Sequence, residues 1–308
     1  MKDVLLIVGP TGVGKTKLSL ILANLLQTEI ISADSMQIYR GMDIGTAKVS
    51  KEMQKKIKHY LIDIVKPDQE YNVSNFQKDA FTIIDQMLQK NKIPIIVGGT
   101  GLYINSIVYE LNFEKGEPDE EYRDKLWDSY DAKGINPILD KLHQVDPESL
   151  KTIDKNNVKR IIRALEYNHT TGKLYSENSK NFRQENIDYN FHIYCLYEDR
   201  AKLYDRINCR VDTMISEGLI DEVKTLLMMY DKNNIAFKAI GYKEVIDYLD
   251  NEISFEEMLM LLKRNSRRLA KRQYTWFRRD KRIKWIDIEE YDYDFDKIAN
   301  KIMRDIYE

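Results

Sequence analysis

Eight consecutive residues, Gly9-Pro10-Thr11-Gly12-Val13-Gly14-Lys15-Thr16, fit the spacing G-x-x-x-x-G-K-[ST]. That spacing suits the binding of a phosphate. Glycines let successive backbone N–H groups turn toward one anion, and a helix opening behind them adds partial positive charge. Lys15 brings a full charge and Thr16 a hydroxyl suited to Mg²⁺. Two further groups fall where strands should end. Asp34 closes one apolar run and Gly98-Gly99-Thr100-Gly101 closes another, and strand carboxyl ends border the ligand crevice of an open α/β sheet. Relatives that hydrolyse ATP carry an acid at a strand end to help hold Mg²⁺. Glycines and Thr100 stand there instead, which weakens an ATPase reading. The plain alternative for Asp34 is an Asx turn or a helix cap.

These residues need elements to position them. Val4–Val8 is a short continuous apolar run, as expected of a strand buried on both faces. A helix is predicted over Lys15–Leu26, a strand over Glu29–Ala33, another over Ile93–Val97, and a returning strand over His192–Leu196. Strands alternating with helices imply an α/β fold, a P-loop NTPase-like parallel sheet flanked by helices. Gly116, Pro118, Pro137 and Pro147 punctuate amphipathic helical stretches between these runs. Residues 114–188 therefore read as an inserted all-helical subdomain, and 1–113 with 189–308 as the core. In the insertion, Val158, Ile161, Ile162 and Leu165 mark one helix, with Gly172 beyond its end. After the returning strand the chain reads as helical to about residue 280.

Of the 308 residues, 43% are hydrophobic and 32% charged, a soluble globular composition rather than a disordered one. No run is long enough to span a bilayer, and the N-terminus enters a strand without signal-peptide zones. Two cysteines, Cys195 and Cys209, give no disulfide framework, so a reducing cytoplasm is the expectation, and a monomer is expected separately. The net charge of −2 hides an asymmetry: residues 263–284 hold eleven Lys or Arg against one Asp, so the remainder carries −12. On a helical wheel Arg264, Arg268, Lys271 and Arg278 share one arc, opposite Leu262, Leu269 and Trp276. One face packs, and the other can track RNA phosphates.

The phosphate loop, Ala33–Tyr39, Gly41–Lys48, Gly98–Tyr103 and Ala270–Arg278, in this order along the chain, together resemble the tRNA dimethylallyltransferase family. The resemblance implies that residues 9–16 hold the diphosphate of dimethylallyl diphosphate with Mg²⁺, and that Asp34 is the general base toward an adenine N6 in tRNA. It adds Thr100 and an arginine, Arg206 or Arg210, to the catalytic set. It implies that Asp34, Ser35, Met36, Gln37 and Thr100 line the base pocket. Contacts to the anticodon arm are implied for Arg123, Lys159, Arg160, Ile161, Ile162, Arg163, Lys238, Gly241, Tyr242 and Lys243. Lysines at 238 and 243 replace arginines usual in the family, which removes any bidentate contact there.

Two rival enzymes share the loop. A small-molecule kinase would explain residues 9–16 but neither the Asp34 block nor the cationic helix. An isopentenyltransferase acting on free AMP or ADP would need neither the insertion nor residues 263–284. Outside catalysis, an RNA-binding module with a vestigial phosphate loop would bind tRNA indifferently to a prenyl donor. His59 carries no role in this reading.

Overall fold

The computed structural model describes residues 2–111, 119–180 and 184–307, with backbone alone at 178–180. Six strands form one sheet: β1 (Asp3–Val8), β2 (Ile30–Ser32), β3 (His59–Tyr60), β4 (Ile95–Gly98), β5 (Asn190–Tyr197) and β6 (Lys284–Asp287). Their spatial order is β3-β2-β4-β1-β5-β6, and every pair is parallel. Val4 to Val8 are all buried, odd and even positions alike, so both faces of the sheet are covered and no polar alternation appears.

The sequence places β1, β2, β4 and β5 closely. Pro94, which has no N–H for the ladder, moves the start of β4 to Ile95, while its carbonyl still accepts from the Leu5 N–H at 2.9 Å. Neither β3 nor β6 is marked by the sequence, and the helix Phe295–Tyr307 that follows β6 is equally unmarked. That helix packs Ile298, Ala299 and Ile302 into the same core as Leu18 and Leu22 of the helix Lys15–Leu25 and Leu5, Ile7 and Leu196 of the sheet. His59 lies in β3 with Nδ1 2.7 Å from the Ile57 carbonyl oxygen, and burial lowers its pKa. It is a structural histidine.

The chain divides into two compact units, Met1–Val108 with Ile187–Glu308, and Tyr109–Asn186. The onset of the insertion at 114, with Gly116 and Pro118, lies outside the described residues. The second unit is helical, built on Glu120–Lys133, Asn136–Val145 and Val158–Thr171 around Leu126, Ile138, Leu142, Ile161 and Leu165. The last of these helices opens on Asn157, whose side chain accepts from the Arg160 N–H, and closes on Gly172 at φ 68°.

In the first unit β1 and β4 are neighbours, yet their onward connections diverge. β1 leads to β2 on one side and β4 leads toward β5 on the other. Their carboxyl ends, with Val8 paired to Gly98, are the switch point at which a crevice opens in a sheet of this kind.

Candidate active site

The loop from Gly9 to Gly14 leaves β1 at this switch point. Gly14 takes φ 99°, a left-handed conformation that a residue with a Cβ adopts only under strain, and from it the helix Lys15–Leu25 starts with no side-chain cap. No acid occupies its first turn, which leaves the positive end of the helix favourable to an anion. Val13 is fully buried in the core and anchors the loop. Lys15 folds back so that Nζ donates to the Pro10 carbonyl at 2.7 Å. Thr16 is exposed at the helix's first turn.

Asp34 follows β2, and its Oδ1 accepts from the Met36 N–H at 2.9 Å, so the Asx turn expected as the plain reading is present. The same carboxylate also acts at longer range. Burial pushes the Lys15 ammonium down to about 8, with Asp34 attracting its charge and Arg210 opposing it. Arg210 is lowered by burial as well, again against the attraction of Asp34. One carboxylate and two cations therefore share a poorly solvated space beside the phosphate loop. Thr100 braces this arrangement. Its Oγ1 accepts from the Ser35 N–H at 3.0 Å and lies 3.3 Å from Ser35 Oγ, so the hydroxyl that the resemblance places in the catalytic set is engaged in holding the Asp34 turn.

The geometry separates the two candidate arginines. Arg210 Nη1 lies 3.5 Å from Thr11 Oγ1 and shares the field of Asp34. Arg206 is held elsewhere, with Nη2 3.0 Å from Glu198 Oε2 and Nη1 3.5 Å from the Gly12 carbonyl oxygen. Glu198, at the end of β5, is buried, and its other oxygen has no hydrogen-bond partner among the described residues. Burial raises its pKa, with Arg206 countering.

Gln37 is less available than its position in the sequence suggests. Its Oε1 accepts from Ser32 Oγ at 3.4 Å and its Nε2 donates to the Thr46 carbonyl at 3.3 Å. Met36 packs its side chain partly against the neighbouring hydrophobic cluster.

Several residues that the resemblance places at the RNA are buried or already paired. Ile161 and Ile162 are buried in the helical unit's core, because the apolar stripe of Val158–Thr171 faces inward. Tyr242 is fully buried with its hydroxyl donating to Glu222 Oε1 at 2.6 Å, and Gly241 lies buried beside it. None of these four can offer a side chain to a phosphate. Arg123 and Arg163 both grip Glu166, at 2.7 and 3.0 Å, and Glu166 is 1% exposed. An unpaired carboxylate at that depth would cost several kcal/mol, so both arginines already have a structural task. Lys159, Arg160, Lys238 and Lys243 remain exposed.

The basic run resolves into two populations along the helix Phe255–Phe277 and beyond it. Lys263 pairs with Asp212, Arg267 donates to Asn208, and Arg282 pairs with Asp280. Arg264, Arg268, Lys271 and Arg272 are exposed, opposite buried Leu262, Ala270 and Phe277, and Arg278 and Arg279, also exposed, lie over the rings of Tyr274 and Trp276. Gln273, on the buried side, is a residue the sequence reading passes over. Its Oε1 accepts from the Thr11 N–H at 2.9 Å and its Nε2 donates to the Gly99 carbonyl at 3.1 Å. The available signal was a polar residue three after Ala270 and four before Phe277, on the apolar face.

The IPP transferase family model matches residues 37–280. The tRNA dimethylallyltransferase of Finegoldia magna is 48% identical over 307 residues, covering 100% of this chain and 98% of its own. The crystal structure of the tRNA isopentenylpyrophosphate transferase from Bacillus halodurans superposes with TM-score 0.71 at 42% identity, covering 99% of this chain and 98% of that one. A eukaryotic dimethylallyltransferase acting on tRNA gives TM-score 0.83 at 28% identity, over all of this chain and 80% of its own. None of these relatives is a kinase. A family model matched over most of the chain, together with a full-length relative at nearly half identity, shows that this chain belongs to the IPP transferase family, that of the tRNA dimethylallyltransferases.

Proposed function

We propose that the protein transfers the dimethylallyl group of dimethylallyl diphosphate to N6 of the adenosine 3′ to the anticodon, position 37, of tRNA, and releases diphosphate. The observation that carries this reading is the convergence of Asp34, Lys15 and Arg210 beside a loop spaced for a phosphate. An adenine amine is a weak nucleophile, because its lone pair is delocalised into the ring. As the N6–C bond forms and the allylic C–O bond breaks, a proton must leave N6, and Asp34 accepts it. The Asx-turn bond takes one lone pair of Oδ1 and leaves the carboxylate able to accept that proton.

Charge grows on the departing diphosphate, and donors already in place stabilise it best. Lys15, Arg210 and the backbone N–H groups of residues 12–16 fill that role, while Arg206, bound to Glu198 and Gly12, supports the loop from behind. Thr16 together with the substrate's own phosphate oxygens would hold Mg²⁺. When bound, that ion neutralises part of the leaving group's charge.

Adenine N6 becomes reachable when the nucleotide leaves its stack in a single-stranded loop. Exposed Arg264, Arg268, Lys271 and Arg278 form the phosphate track on the first unit, and Lys159 and Arg160 are the phosphate contacts on the helical unit. The enzyme acts as a monomer in the cytoplasm, where its RNA substrate is found. No described helix is long and apolar enough to cross a membrane.

Incubation of the purified protein with unmodified tRNA and dimethylallyl diphosphate tests the reading. The expected result is one dimethylallyl adenosine per tRNA by nucleoside mass spectrometry, with no ATP consumed. Prenylation of free AMP in preference to tRNA, or brisk ATP turnover without RNA, would overturn it.

A further inference from the structure

Two loops border the crevice at the switch point, the phosphate loop after β1 and Gly98–Gly101 after β4, and one side chain ties them together. Gln273 takes the Thr11 N–H of the first at 2.9 Å and the Gly99 carbonyl of the second at 3.1 Å. The fit leaves no slack, because a Cβ on Gly99 would stand 2.2 Å from Gln273 Nε2. One turn on, Trp276 Nε1 donates to Asn105 Oδ1 at 3.3 Å, which seats the same stretch of helix on the element after Gly101. The opposite face of this helix carries the exposed cations Arg268, Lys271 and Arg272 within five residues of Gln273. A rigid helix thus presents charge to solvent on one side and grips the phosphate loop on the other.

We propose that Gln273 is a positioning residue that makes RNA binding and diphosphate binding strengthen each other, a role that rests on the RNA-facing reading of this helix given above. Three features of the link support it. The Thr11 N–H is held by Gln273, so the path of the loop at Thr11 follows the helix. Arg210 reaches Thr11 Oγ1, so a shift at Thr11 also moves the partner of a diphosphate-facing cation. Ala270 and Phe277, on either side of Gln273, are buried and leave the helix little freedom to slide without carrying the loop with it. RNA held on the outer face restrains the helix, and the restrained helix holds the loop in the shape that accepts a diphosphate. Linkage makes the effect reciprocal, so diphosphate must tighten RNA binding by the same factor.

The test is calorimetric titration of inorganic pyrophosphate into the full-length protein, with and without a saturating unmodified anticodon stem-loop RNA. It is run on the wild type, Gln273→Met, Gly99→Ala and the double variant. Methionine keeps the volume of glutamine and removes both hydrogen bonds; the alanine breaks the same link from the other side. In the wild type, RNA should tighten pyrophosphate binding by about fivefold or more. In both single variants the coupling should fall to about onefold, with RNA affinity alone unchanged and with no additional loss in the double variant. Thermal unfolding of each variant shows whether it is folded, and the coupling factor is compared only among the folded ones, two independent routes to one link. Retained coupling in either folded single variant overturns the proposal. If the wild type binds the RNA and shows no coupling, this inference fails while the proposed function stands. If the wild type does not bind the RNA, both fail together.

Discussion

Two buried lysines mark the difference between a loop built to take a ligand and a loop built to stay in place. Lys48 is 2% exposed at its side chain, with Asp43 and Asp63 each 2.6 Å from Nζ and the Tyr39 carbonyl at 2.8 Å. Around it the Gly41–Lys48 loop is fastened by Glu222, which accepts from the N–H groups of Asp43, Ile44 and Gly45 and from the Tyr242 hydroxyl. There Lys48 meets two carboxylates, and Glu222 meets three backbone N–H groups and a hydroxyl. Lys15 meets one carbonyl oxygen at contact distance, feels one carboxylate, and is opposed by a second cation. Such an excess of buried positive charge is costly in the empty protein and favourable once an anion arrives. Both loops belong to the blocks by which the family is recognised, yet one is recognised for its chemistry and the other for its architecture.

The comparison is broken most directly at Asp34. Asp34→Ala should lower the transfer rate by about 10² to 10⁴-fold, the range of a general base, with tRNA affinity largely kept. Near-normal single-turnover transfer would remove Asp34 as the base. At the other loop, Lys48→Met should act on stability, since Asp43 and Asp63 lose their buried counter-ion. The cost should be about 3 kcal/mol in chemical denaturation, with transfer per folded molecule little changed. A folded, stable Lys48→Met protein that cannot transfer would mean that the 41–48 loop is part of the chemistry.

A smaller effect is expected on the cationic helix. Replacing Arg264 and Arg268 with Gln should weaken tRNA binding and reduce the slope of log affinity against log salt by about 1.4, at roughly 0.7 per phosphate contact to single-stranded RNA. An unchanged slope would assign the phosphate track to Lys159 and Arg160 or to Lys238 and Lys243. The same replacements should leave the melting temperature almost unmoved, because both side chains are exposed and neither belongs to the paired population of Lys263, Arg267 and Arg282.

The legible parts of this molecule are those written locally. Val4–Val8, Ile30–Ser32 and Ile95–Gly98 read as strands because a parallel strand buried on both faces is a continuous apolar run, and residues 9–16 carry their geometry in their own spacing. At the edges the signal fails: β3 is two residues long, and Lys284-Trp285-Ile286-Asp287 of β6 is a four-residue strand that starts on the last cation of the basic run, too short to show a pattern of its own. In the helical unit the local pattern and the resemblance point different ways. The resemblance implies RNA contacts all along residues 159–163, but Ile161 and Ile162 turn inward, as their helical spacing predicts, and Arg163 turns to Glu166. Gln273 could not be assigned from its neighbours, since its partners Thr11 and Gly99 lie more than 170 residues away. Choosing between Arg206 and Arg210 likewise required knowing that Glu198 sits beneath the first.

The finest test of the two lysines is pH. With Lys15 lowered by burial to about 8 from an ordinary 10.5, the empty protein gives up this proton as pH passes 8, while the unfolded chain keeps it to 10.5. Between those values the unfolded state binds more protons, so this group favours folding increasingly as pH rises. Diphosphate needs the charged form, so its affinity should move the other way and fall above pH 8 by at most about tenfold per pH unit. Pyrophosphate itself becomes more anionic over the same range, so the informative quantity is the difference from Lys15→Arg, whose guanidinium stays charged. The wild type should lose affinity relative to that variant only above pH 8, in titrations from pH 7 to 9.5. Parallel curves for the two proteins would mean that Lys15 keeps its proton in the empty site, and the contrast with Lys48 would then rest on geometry alone.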